Sequence, residues 1–138
     1  MQPKLLSRII KINEKQLEEE LFNQKIIISR IEEIKNQINK LKCELEEEMD
    51  FAQTNLDMAF AMEGYREDNT LRRVVLNELV KDLQARLDAV REKIVGLNME
   101  NKKFEILITQ QQKKALKAEN LKEQKQMDEF SMLRRIES

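Results

Sequence analysis

Residues that interrupt helices are almost absent from this chain. Its 138 residues include 2 Gly and 1 Pro, and the single proline is Pro3. Because no proline follows, no residue type forces a helix to stop after that point. Gly and Pro also form many of the tight turns that a many-stranded sheet needs, so their scarcity disfavours a sheet fold. Aromatic residues make up 4% and charged residues 37% of the chain, a composition typical of long helices and coiled coils.

Apolar side chains recur at alternating steps of three and four residues in both halves of the chain. This heptad spacing keeps one stripe of a helix facing a partner helix. The first seam comprises Leu17, Leu21, Gln24, Ile28, Ile31, Ile34, Ile38, Leu41, Leu45, Met49, Ala52, Leu56 and Ala59. The second seam comprises Leu76, Leu79, Leu83, Leu87, Val90, Ile94, Leu97, Asn101, Phe104, Ile108, Gln111 and Ala115. A buried Asn such as Asn101 usually fixes the register of a coiled coil at some cost in stability.

The segment between the seams carries the strongest turn signals. Gly64 suits a helix C-cap, where a left-handed residue ends a helix. Three residues just after it suit an N-cap: Asp68, Asn69 and Thr70. Helices with a short connection pack antiparallel. We therefore predict an all-α fold, a long antiparallel two-helix coiled-coil hairpin in one domain, with these bounds: helix 1 about 4–63, apex 64–70, helix 2 about 71–135.

The charge pattern favours a hairpin within one chain over a parallel dimer. With an apex near residue 67, the numbers of facing residues should sum to about 133 or 134. The run Glu18–Glu20 then faces three bases: Lys113, Lys114 and Lys117. A parallel homodimer would place like charges together instead.

Side chains that commonly carry catalysis are scarce. There is no His, and Cys43 is the single cysteine, so we expect no catalytic residue, no metal site and no cofactor. Cys43 lies beside the seam and is expected to be a small packing residue. A single cysteine cannot form a disulfide within the chain, so we expect a reducing cytosol as its compartment. The net charge of −1 disfavours nucleic-acid binding. No apolar run approaches the ~20 residues of a membrane span, and we expect no signal peptide.

Two apolar clusters fit the seam poorly and are candidate binding surfaces. The apical cluster comprises Phe51, Met58, Phe60, Met62 and Tyr65, which either bind a partner or pack the turn. The second cluster is a predicted paired end, where Leu5, Leu6, Ile9 and Ile10 of helix 1 meet Met127, Phe130, Met132, Leu133 and Ile136 of helix 2. An open hydrophobic end of this kind suits a socket in another protein, and fraying is the alternative.

The C-terminal tail resembles a known family. The segments that carry the resemblance are Ala118-Glu119-Asn120, Gln124-Lys125-Gln126-Met127-Asp128-Glu129-Phe130 and Arg134-Arg135. They resemble the C-terminal signature of FliJ, the stalk protein of flagellar type III export, whose virulence-system relatives are the YscO-type proteins. The resemblance covers the whole chain in architecture and about the last 20 residues in sequence.

The resemblance implies a non-catalytic central stalk that is cytoplasmic and peripheral to the inner-membrane export apparatus. Its paired ends would enter a FliI-like hexameric export ATPase and promote ring assembly and ATP hydrolysis. The implied ATPase-binding residues are Leu5, Leu6, Ile9, Ile10, Gln124, Met127, Asp128, Glu129, Phe130, Arg134 and Arg135. The implied further partners are an FlhA-like export gate protein and export chaperones. For the gate contact, side-chain chemistry alone favours Phe60 and Tyr65.

Two other functions remain open from the sequence. One is a structural or adaptor coiled coil that dimerises through its seam. The other is a small export chaperone, which requires a more compact bundle. A sedimentation measurement separates the dimer from the stalk.

Overall fold

The fold is described from a computed structural model, which covers residues 2–53 and 56–137 and, at Leu56 and Met58, the backbone alone. Within these ranges the chain forms two helices and no strand: α1, Pro3–Ala52, and α2, Leu56–Glu137. The predicted all-α helical hairpin is confirmed. The side chain of Met58, predicted in the apical cluster, lies outside the described residues.

The start of α1 is set by the chain's one proline. Pro3 is the first helical residue, a position where its fixed φ fits and its missing N–H costs no hydrogen bond. The carbonyl oxygen of Gln2 accepts bonds from the N–H groups of Leu5 at 3.0 Å and Leu6 at 3.2 Å. At the other end of α1, the N–H of Gln53 donates to the Met49 carbonyl oxygen at 3.2 Å.

The predicted position of the apex is wrong. Gly64 and the predicted cap residues Asp68, Asn69 and Thr70 all lie inside α2, and no described glycine has a positive φ. A glycine inside a helix costs only about 1 kcal/mol relative to Ala, so it does not by itself end one. Asn69 is a buried interhelical residue, and its Nδ2 donates to the backbone carbonyl oxygen of Leu41 at 2.8 Å.

The helices form two compact units, Glu18–Val95 and Met1–Leu17 with Gly96–Ser138. The unit of residues 18–95 contains the main apolar core. Its buried members are Ile31, Ile34, Ile38, Val80 and Leu87, flanked by Ile27, Leu76 and Leu83. In the same unit, Lys93 Nζ lies 3.5 Å from Glu20 Oε1. Six of these eight core side chains come from the predicted seams, so the heptad pattern identified most of the packed face. The exceptions are Ile27 and Val80, which are packed in place of the predicted neighbours Ile28 and Leu79.

In the second unit, a polar pair lies between the helices. Asn13 Nδ2 donates to Asn101 Oδ1 at 2.9 Å, and both side chains are buried. Leu6 and Leu97 are the buried apolar residues of this unit. The prediction that Asn101 lies in the seam is confirmed, whereas its partner Asn13 precedes the predicted first seam and was missed.

The interhelical contacts correct the predicted register. The facing pairs Asn13–Asn101, Glu20–Lys93 and Leu41–Asn69 have residue numbers that sum to 110–114 rather than to 133 or 134. The shift follows from the reversal of the chain, which lies between Ala52 and Leu56 and not near residue 67. The predicted pairing of Glu18–Glu20 with lysines after residue 112 is therefore wrong. Cys43 is exposed, so its predicted packing role is also wrong.

The core of residues 18–95 makes a direct prediction about stability. Ile34 is 2% exposed, and Ile34→Ala should lower the free energy of unfolding by about 2 kcal/mol or more, because a buried cavity remains. Ile26, on the same helix, is 51% exposed, and Ile26→Ala should cost well under ~1 kcal/mol. Urea unfolding followed by circular dichroism measures both values. Equal losses would show that Ile34 does not belong to the core.

The buried amide pair makes a second prediction. Asn101→Leu leaves the Asn13 amide buried without its partner and should cost about 1–3 kcal/mol. The double variant Asn13→Leu/Asn101→Leu should recover most of that loss, because two apolar side chains replace two bonded polar ones. The double variant should also form oligomers, since a buried Asn restricts the register of paired helices and the number of helices that associate. Unfolding and sedimentation of all three variants measure the coupling, and strictly additive losses would contradict it.

Candidate functional site

The C-terminal part of α2 continues past the start of α1. Pro3, Ser7 and Lys11 of α1 line a shallow groove with Ile108 and Gln112 of α2. After Gln112, every residue from 113 to 137 is exposed. We call residues 113–137 the α2 extension. Its helix persists because no Gly or Pro follows Gly96, and because Arg134 and Arg135 in the last turn favour the negative end of the helix dipole.

Large apolar side chains point out of the α2 extension in several directions. The exposed ones are Leu116, Leu121, Met127, Phe130, Met132, Leu133 and Ile136. Met127, Phe130, Leu133 and Ile136 follow one another at intervals of three, so each lies about 60° around the helix from the last. These four therefore cover about half of the circumference, and Met132 and Leu121 continue beyond Ile136.

Charged and polar groups accompany these apolar side chains. The Arg134 guanidinium carbon lies 5.7 Å from the centroid of the Phe130 ring, a distance that suits a cation–π contact. Gln124, Asp128 and Glu129 are exposed on the same helix. The predicted ATPase-binding residues of the tail thus form one accessible surface.

The predicted paired end is wrong as a composite site. Leu6 is fully buried, Ile9 and Ile10 are half-buried, and Leu5 is exposed. These residues lie at the level of Ile108 and Gln112, whereas the predicted partners begin at Met127. The predicted partners on α2 are exposed, so they do not form a buried end with the start of α1.

Three members of the apical cluster are exposed: Phe51, Phe60 and Tyr65. Phe60, near the start of α2, is 88% exposed. Two clefts flank the half-buried Met62, with volumes of about 560 Å³ and 240 Å³. The larger is lined by Met49, Ala52, Gln53, Ala59, Phe60, Met62, Glu63 and Arg66; the smaller by Glu48, Phe51, Ala52, Ala61, Met62 and Tyr65. The predicted residues Phe60 and Tyr65 thus line different clefts of one surface.

The sequence interpretation missed an apolar groove next to the core of residues 18–95. The groove has a volume of about 520 Å³, with Leu41, Leu71, Val75 and Leu76 as its apolar lining. Its polar lining comes from Gln37, Lys40, Glu44 and Arg72. Leu71, Val75 and Leu79 are all exposed and recur every four residues, which makes them a second stripe on α2. Leu79 was predicted in the seam, whereas Leu71 and Val75 were not considered.

Two kinds of feature are absent from the described part of the chain: clusters of metal-ligating side chains and membrane-spanning helices. Among residues 2–53 and 56–137, no cluster of three His, Cys, Asp or Glu side chains could hold a metal ion. No helix in the same ranges has a stretch apolar and long enough to cross a bilayer.

Comparison with known proteins identifies the family. The amino-acid sequence matches the family described as "Flagellar FliJ protein" over residues 3–138, which is nearly the whole chain. Neither a curated protein nor a solved structure matches the chain. The family match extends far beyond the tail segments that carry the resemblance, and it includes both helices. The chain therefore belongs to the FliJ family of flagellar proteins.

Proposed function

We propose that this protein is a non-catalytic central stalk of flagellar type III export, and that its α2 extension inserts into the hexameric export ATPase. The observation that carries the proposal is the exposure of residues 113–137 at every position. Membership of the FliJ family supports a place in the export apparatus. The protein would then act in the cytoplasm at the inner-membrane apparatus, where it promotes assembly and activity of the ATPase.

The arrangement of apolar side chains supports insertion into a hole over docking on a flat surface. A flat partner covers one side of a helix, whereas Met127, Phe130, Leu133 and Ile136 together occupy about half of the circumference. Met132 extends this coverage further. Each such side chain gains about 1.5–3 kcal/mol when it is fully buried, so a partner that surrounds the helix gains from all of them.

The exposure of the tail side chains supports the proposed ATPase contact. Gln124, Asp128, Glu129, Arg134 and Arg135 supply polar groups beside Met127 and Phe130 along the α2 extension. Leu5, Ile9 and Ile10 lie at the base of the extension and remain candidates for contact with the rim of the ring. Leu6 is fully buried, so its role in the proposal is to hold the start of α1 against α2.

The unit of residues 18–95 carries the surfaces proposed for the export gate protein. Phe60 and Tyr65 in the apical clefts remain proposed gate contacts. The groove around Leu71 and Val75 is added to them, because its apolar lining and mixed charges resemble the core and rim of a protein interface. Export chaperones remain proposed partners without an assigned surface.

The proposed ATPase contact makes a third prediction. Phe130→Ser/Leu133→Ser should abolish most of the stimulation that the intact protein gives to the cognate export ATPase, because two apolar anchors are removed. Truncation after Gln126 should do the same. Steady-state ATP hydrolysis, measured over a range of stalk concentrations, gives the result.

A matched variant controls for a general loss of apolar surface. Phe22→Ser/Ile26→Ser also removes an exposed Phe and an exposed aliphatic residue, but from α1 within residues 18–95. It should leave stimulation unchanged. Equal stimulation by the intact protein and by the truncated form would refute the stalk function.

The groove makes a fourth prediction. Val75→Ser should weaken binding to the cytoplasmic domain of the export gate protein by about tenfold, the effect of losing one interface anchor. Val95→Ser is the matched control, since Val75 is 58% and Val95 is 56% exposed and only Val75 lines the groove. Titration calorimetry measures both. If the two variants bind alike, the groove is not the gate contact.

A further inference from the structure

We infer that the apical clefts bind a basic amphipathic helix of a partner protein. The first observation is a strong charge asymmetry in the sequence. Residues 43–68 contain nine acidic side chains and one basic side chain, Arg66. The whole chain has a net charge of only −1, so this apical segment holds an excess of negative charge that the remaining residues balance.

The second observation is the apolar surface within this acidic segment. Phe51 and Phe60 are exposed, and they line different clefts on the two sides of Met62. Methionine and aromatic side chains form adaptable apolar contacts with helical partners. Glu48 lines the smaller cleft, and Glu63 lines the larger one together with Arg66. Each cleft therefore combines apolar contact area with a carboxylate.

Charge complementarity selects the occupant. Acidic side chains around an apolar cleft attract lysine and arginine and repel phosphate groups, so nucleic acid and anionic lipid are disfavoured. A helix with apolar residues on one face and bases at its edges matches both features. The carboxylates would steer the encounter, and the aromatic and methionine side chains would supply most of the contact energy.

The inference deepens the proposed gate contact at Phe60 and Tyr65 by giving the chemistry of the partner. It does not depend on the α2 extension. The variant Phe130→Ser/Leu133→Ser should therefore bind the apical partner normally. Failure of ATPase stimulation would therefore contradict the proposed stalk function, whereas failure of apical binding would contradict only the present inference.

A model peptide tests the inference. The probe is a fluorescein-labelled Leu/Lys peptide of about 18 residues, or five helical turns, with all leucines on one face. Fluorescence anisotropy with the full-length protein should show saturable binding. Phe60→Ser should weaken it roughly tenfold, whereas Phe22→Ser, which changes a 64% exposed Phe outside the apex, should not.

Charge variants and a scrambled peptide separate docking from simple attraction. Glu47→Gln/Glu48→Gln/Glu63→Gln should weaken binding, whereas Glu14→Gln/Glu18→Gln/Glu19→Gln should not. A peptide of the same composition without a one-sided apolar face should bind at least roughly tenfold more weakly. If Phe60→Ser binds as tightly as the unmodified protein, or the scrambled peptide binds as well as the amphipathic one, the inference is overturned.

One further measurement tests whether the occupant is a second copy of this chain. The α2 extension is itself basic, with seven bases and five acids in residues 113–137. Sedimentation at increasing protein concentration should show a monomer with and without Phe60→Ser. An association that Phe60→Ser abolishes would make a second copy the occupant and overturn the assignment to another protein.

Discussion

The reversal of the chain between Ala52 and Leu56 is the constraint on which the other features depend. It determines which residue of α1 faces which residue of α2, because two paired helices share one register from their connection onward. With the reversal at this point, α1 has 50 residues and α2 has 82. The excess length of α2 becomes the α2 extension, and its apolar side chains remain accessible to another protein.

The sequence predicted two long helices and most positions of their packed faces, because heptad spacing depends on local periodicity. Ile31, Ile34, Ile38 and Leu87 were all placed in the seams and are buried. The reversal was harder to locate. Gly64 is the more conspicuous turn signal, but a solvent-exposed glycine lowers the stability of a long helix only a little. The polar side chains around residue 53, in contrast, are of the same types as those within the helices.

The wrongly predicted position of the chain reversal also affected the prediction of the candidate site. Met127, Phe130 and Arg134 were chosen from the tail, and all three are exposed in the structure. Their predicted neighbours Leu6 and Ile9 were assigned by register, so a displaced reversal moved them to the wrong residues of α2. Asn13 and Asn69 could not be recognised, because an Asn in a polar helix signals burial only when its partner is known.

A hairpin of two helices has no third layer, and this explains why binding surfaces are so easily formed on it. One stripe of each helix is buried against the other, and any second apolar stripe remains in water, as Leu71 and Val75 do. Exposed apolar groups of this size lower solubility unless charge accompanies them. Around Phe60 the accompanying charge is almost all acidic, whereas along the α2 extension it is mixed with a basic excess. The two proposed binding surfaces would therefore select different partners by charge, although both would bind through apolar contact.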